Sequence, residues 1–84
     1  MTITVKFFSL IREAIDTEEL VLDYTSDVAT VADLKRLLGD RGEAWFEALS
    51  HPNLIQAVNQ RVVFQEETLN DDDEVAFFPP MTGG

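Results

Sequence analysis

Only one stretch of this chain reads as a helix long enough to roof a sheet, and the remaining elements must be arranged around that shortage. Thr30 is followed three residues later by Asp33, a variant of the capping box whose acid also suits the positive end of a helix. Val31, Leu34, Leu37 and Leu38 then form one apolar stripe, with Lys35 and Arg36 off it. Gly39 or Gly42 is placed to end the helix in the left-handed conformation. A shorter helical piece at Glu43–Leu49 sets Trp45 and Leu49 one turn apart. Ser9 is expected to cap another short helical stretch through Ile15.

Most of the other apolar residues recur with period two, the signature of half-buried strands. Strands are expected at Thr2–Phe8, Glu18–Tyr24, Leu54–Val58, Arg61–Phe64 and Glu74–Phe78. Residues 9–17 are too few for a crossover, so the first two strands should form an antiparallel hairpin with a wide loop. Asn59-Gln60 can turn the chain tightly, because Asn tolerates positive φ, and an acidic loop follows from Gln65 to Asp73. The class is therefore α+β: a mixed sheet of about five strands with one main helix and short extra helices. This is the element order of the β-grasp (ubiquitin-like) fold, in which the first and last strands lie side by side and parallel. Eighty-four residues allow one small domain. We expect it to span residues 1–78 and to carry a flexible tail at 79–84.

One helix covers one side of a sheet, so the other side must face water or a partner. If Ile3, Val5 and Phe7 face the helix, Phe8 points the opposite way. By the same alternation Val75 and Phe77 point inward, and Ala76 and Phe78 outward. Phe8 and Phe78 would then share the open face as an aromatic patch, and such patches mark binding sites.

Beyond Phe78 the sequence reads Pro79-Pro80-Met81-Thr82-Gly83-Gly84. Each proline fixes φ and removes a donor, so no sheet continues through them, and Phe78 is held extended. The last two residues have no Cβ and can enter a passage that any side chain would block. The tail is built to present the Gly84 carboxylate inside another protein. At neutral pH that carboxylate is a poor electrophile and must be activated, most simply as an acyl-adenylate made from ATP. The chain has no cysteine, no phosphate-binding Gly-rich loop and one histidine, so it reads as a carrier acted on by enzymes.

Composition narrows the partners. Sixteen acids against 6 bases give a net charge of −10, which repels phosphate backbones and anionic membranes and argues against nucleic acid or lipid. The lack of cysteine suits a reducing cytoplasm, and no apolar run approaches the roughly 18 residues of a membrane helix. His51, beside Pro52 and Asn53, reads as a surface-loop residue. Asp71-Asp72-Asp73-Glu74 lacks the alternation and central glycine of a calcium loop and reads as a solvated turn, so no metal site is expected.

Ala57-Val58-Asn59-Gln60, Asp73-Glu74-Val75-Ala76-Phe77-Phe78-Pro79-Pro80-Met81-Thr82-Gly83-Gly84, and the start Val5-Lys6-Phe7-Phe8 with Leu10-Ile11-Arg12-Glu13 together resemble the family of molybdopterin synthase small subunits. The resemblance runs end to end, and Phe-Phe-Pro-Pro-x-Thr-Gly-Gly is its sharpest part. It implies that Gly84 carries first an acyl-adenylate and then a thiocarboxylate. It also implies that Met81, Thr82 and Gly83 insert into the large subunit of a heterotetramer, while Phe8, Phe78, Pro79 and Pro80 dock the body. The implied partners are that large subunit, an ATP-dependent adenylyltransferase similar to ubiquitin-activating enzymes, and a sulfurtransferase. The chain itself would bind no cofactor, since ATP is used by the activating enzyme. A sulfur carrier for thiamine or another thio-product, and a ubiquitin-like modifier joined to lysines through Gly84, are the alternatives. The chain departs from the family at Asp72, where the resemblance puts a glycine.

Overall fold

The computed structural model describes residues 1–80. At its centre β1 (Thr2–Phe7) runs parallel to β5 (Glu74–Phe78), with Val5 opposite Val75 and Phe7 opposite Phe77. β2 (Glu19–Asp23) pairs antiparallel with β1 on one side. On the other, β3 (Ile55–Val58) pairs antiparallel with β5, and β4 (Arg61–Val63) closes the sheet. The order β2-β1-β5-β3-β4 is the mixed sheet anticipated, with first and last strands adjacent and parallel.

β5 has the bounds expected, and the other four strands are one or two residues shorter than their sequence patterns, the usual fraying of element ends. Hydrogen bonds nevertheless continue past them. Phe7 N–H donates to the Glu18 carbonyl at 2.9 Å and Tyr24 N–H to that of Met1 at 3.1 Å. Asn59 and Gln60 both have positive φ, 51° and 69°, as the tight turn between β3 and β4 requires.

Three helices, α1 (Ser9–Ile15), α2 (Val31–Gly39) and α3 (Glu43–Leu49), all contribute to a single core against one face of the sheet. The capping box on α2 is complete: Thr30 Oγ1 accepts from Asp33 N–H at 3.2 Å, and Asp33 Oδ2 accepts from Thr30 N–H at 3.1 Å. Ile3, Val5, Phe7, Val31, Leu34, Leu38, Leu69, Val75 and Phe77 are all essentially sealed from solvent. Phe7 meets the edge of Trp45 from α3 at 5.5 Å, and the Arg41 guanidinium covers the outer side of that indole at 4.7 Å.

Several local expectations are corrected. Ser9 does not cap α1; it is the helix's first residue, with φ of 56°, while Phe8 takes the cap position in extended conformation without a side-chain hydrogen bond. Leu37 is 42% exposed, because 100° per residue carries it off the Val31–Leu34–Leu38 line. Neither glycine ends α2 in the left-handed region: Asp40 follows it in the right-handed conformation, and Gly42 stands before α3 instead. A 3₁₀ turn at Ser26–Val28, capped by Thr25, precedes α2 and buries Val28.

The acidic run is more than a solvated turn. Asp73 is buried, and its carboxylate accepts from Asn59 Nδ2 at 2.8 Å and from Asn70 N–H at 2.7 Å, tying the β3–β4 turn to the entry of β5. Asp72 keeps the conformation a glycine would take, with φ of 75°, and its N–H donates to the Thr2 carbonyl at 2.8 Å. Asp is among the few residues that visit this region, so the turn survives the change from glycine.

Candidate functional site

The open face of the sheet forms where no helix lies. Helix α1 sends Ile11 and Ile15 into the core rather than over Phe8, which stays 36% exposed. Phe8 N–H donates to the Phe77 carbonyl at 3.1 Å, so the parallel ladder continues one residue beyond β1 and places Phe8 level with the end of β5. There its ring stacks on Phe78, with centroids 4.7 Å apart and planes 7° from parallel. The sequence put these two rings together, and the structure brings them into direct contact.

Register supplies the rest of the face. Ala57 lies opposite both Ala76 and Val62, so all three point to the same side as Phe78. Lys6 and Glu74 flank the patch and form an ion pair of 3.3 Å; exposed as it is, it contributes little to stability. A shallow depression of about 320 Å³ lies among Lys6, Phe8, Val62, Glu74 and Phe78. Val62, 70% exposed, was not singled out from the sequence. The two-residue turn would have found it, because that turn fixes Val62 across from Ala57.

The face is therefore an apolar floor with aromatic walls, beside the point where the chain leaves the sheet. Phe78 pairs with Ile55 in the last rung of β5, and Pro79 and Pro80 follow half-buried, outside any strand. Met81, Thr82, Gly83 and Gly84 lie outside the described residues. Among the described residues no three His, Cys, Asp or Glu side chains gather as a metal site, and no helix is long and apolar enough to cross a membrane. His51 is exposed, its Nδ1 accepting from Asn53 N–H at 3.0 Å. A surface like this can bind a protein and hold the tail's root at a fixed angle.

Comparison with known proteins accords with this geometry. The chain is 40% identical to the molybdopterin synthase sulfur carrier subunit of Escherichia coli (strain K12), over 98% of this chain and 99% of that one. In structure it resembles the small archaeal modifier protein 1 of Methanosarcina acetivorans, with a TM-score of 0.78, 26% identity and coverage of 99% and 96%. The same fold, at a TM-score of 0.68 and 22% identity over the whole of both chains, occurs in a complex of subunits 1 and 2 of the molybdopterin-converting factor from Helicobacter pylori 26695. Residues 5–84, everything from the middle of β1 to the final glycine, match the ThiS family, and to that family the chain belongs.

Proposed function

We propose that this chain is the sulfur-carrier subunit of molybdopterin synthase. The observation that carries the reading is the end-to-end similarity to a sulfur carrier subunit of that enzyme, in a chain that ends Phe-Phe-Pro-Pro-Met-Thr-Gly-Gly. In the first step the Gly84 carboxylate attacks the α-phosphate of ATP on an activating enzyme, forming the acyl-adenylate and releasing pyrophosphate. Hydrosulfide delivered by a sulfurtransferase then attacks the acyl carbon, AMP leaves with the bonding electron pair, and Gly84 ends as a thiocarboxylate. Its sulfur attacks a pyranopterin precursor in the large subunit and displaces an oxygen substituent. Water then cleaves the acyl–sulfur bond and returns Gly84 as a carboxylate, and two such donations complete a dithiolene.

The chain's own part is mechanical. Phe8 and Phe78 seat the body on the large subunit, while Pro79 and Pro80 stiffen the exit of the tail. Met81, Thr82 and Gly83 occupy the tunnel, where the absence of a Cβ at Gly83 lets the backbone pass. ATP and the catalytic groups belong to the partners, and the whole sequence of steps is placed in the cytoplasm.

The test is intact mass after co-expression with an activating enzyme and a sulfur source. The expected product is heavier by one oxygen-for-sulfur exchange, and a chain extended by one residue after Gly84 should show no exchange and no sulfur donation. Sulfur donation at the wild-type rate from the extended chain would remove Gly84 from the mechanism. A second reading, a modifier joined to lysines, is favoured by the likeness to an archaeal modifier protein. Denaturant-stable conjugates that disappear on deleting Gly84 would make it the better one.

A further inference from the structure

A concavity beyond the docking face and the tail has no role in that reading. A groove of about 720 Å³ runs between the end of α2, α3 and the β3–β4 hairpin. Two phenylalanines line it in exposed positions, Phe46 at 60% and Phe64 at 81%. Lys35 and Arg36 line it from α2, two of only 6 bases in a chain of net charge −10, and the acids Asp40 and Glu66 line it as well. Arg36 is held by Asp33 at 3.2 Å. Lys35 makes no ion pair among the described residues, although acids are in large excess, and burial lowers the pKa of its ammonium from the ordinary value. A half-dry cation without a counter-ion favours an incoming carboxylate. Gln56 also lines the groove and is 7% exposed; its Nε2 donates to the Val63 carbonyl at 3.0 Å, while Oε1 is buried without a partner.

The groove is continuous with the docking face. Val62 lines both the groove and the depression beside Phe8 and Phe78, and only the three residues of β4 separate them. A protein seated on the open face therefore reaches the groove by passing over this short edge.

We infer that the groove is a second docking surface, filled by a largely apolar arm, bearing one carboxylate, of the same protein that sits on the open face. The arm's carboxylate rests on Lys35 and an apolar side chain lies against Phe46 and Phe64. The inference rests on the reading that the synthase large subunit docks on the open face, and deepens it by giving that partner a second, electrostatic hold.

The experiment is calorimetric titration of the full chain with the large subunit at physiological salt, melting temperature being recorded for every variant. Lys35→Glu and Phe46→Ser should each weaken binding by about tenfold or more. Arg12→Glu, the same charge change at a residue of α1 that lines neither concavity, should leave affinity within about twofold. If Lys35→Glu does not fold, Lys35→Ala takes its place with the same expected direction. Groove variants that bind like the wild type while Phe8→Ala binds weakly would overturn the inference and leave the open-face reading standing. If Phe8→Ala also binds like the wild type, the docking reading itself fails and takes the groove with it. A loss shared equally by Arg12→Glu would assign the effect to net charge and overturn the arm.

Discussion

The two faces of the central strand pair carry nearly the same chemistry and do opposite things. Phe7 stacks over Phe77 at 6.0 Å on one face, and Phe8 stacks over Phe78 at 4.7 Å on the other. The first pair is sealed, at 1% and 0% exposure, while Phe8 keeps 36%. Nothing in the side chains makes this difference. It comes from the pleat, which sends neighbouring residues to opposite sides, and from a supply of helices that suffices for one side only. An aromatic pair stabilises the fold when helices cover it, and stays open to a partner when they do not.

That contrast can be broken by truncation. Phe77→Ala should destabilise the domain most, by about 3–5 kcal/mol, because it empties a site closed on all sides. Chemical denaturation measures it. Phe78→Ala should do the reverse, weakening large-subunit binding by about 1–3 kcal/mol while unfolding shifts less than for Phe77→Ala. Equal loss of stability in both variants, with binding intact, would mean that the two faces are not unlike after all. Adding one residue after Gly84, by comparison, should leave both faces and the melting temperature untouched.

Smaller changes sharpen the same contrast by loosening the roof. Thr30→Ala removes one half of the capping box on α2 and should cost about 1 kcal/mol in thermal or chemical unfolding. Docking on the open face should be unaffected, since α2 lies across the sheet from it. Lys35→Met should have the smallest effect, a slight rise in melting temperature near neutral pH. The sign follows from burial, which lowers the folded-state pKa of Lys35. Below that folded pKa the lysine is charged in both states, and the folded state alone bears the desolvation. As pH climbs from there to the ordinary value near 10.5, the folded amine becomes neutral first, wild-type stability rises, and the advantage of Met fades. A Met variant whose advantage grows with pH would contradict the burial of this amine.

Much of this was legible because the strong signals were local. Alternation from Thr2 to Phe8 and from Glu74 to Phe78 told inside from outside at both ends of the chain, and the structure keeps every one of those assignments. Thr30 with Asp33 marked the start of α2 because a capping box uses only residues three apart. What escaped the sequence depended on residues far apart in it. Asp73 looks like one of four equivalent acids until Asn59, fourteen positions earlier, is folded onto it. The groove beside Lys35 is assembled from α2, α3 and the β3–β4 hairpin, and no spacing within any one of them announces it. Leu37 was misread for a simpler reason: a run of leucines hides which of them the 3.6-residue period leaves outside.

The position of β5 has a consequence in time. It is the last strand to be synthesised and the middle strand of the sheet, with β1 on one side and β3 on the other. Until it arrives, the β1–β2 hairpin and the β3–β4 hairpin have no shared partner, and an isolated two-stranded hairpin is marginal in water. The pairing that joins them spans almost the whole chain, and contacts between such distant residues form slowly. Helix α2 can form early, but the surface it is meant to cover does not yet exist. The stacked pair that marks the open face takes one ring from each end of the domain, so it too is absent from an unfinished or truncated chain. A protein that binds this face would therefore find it only on chains whose folding is complete.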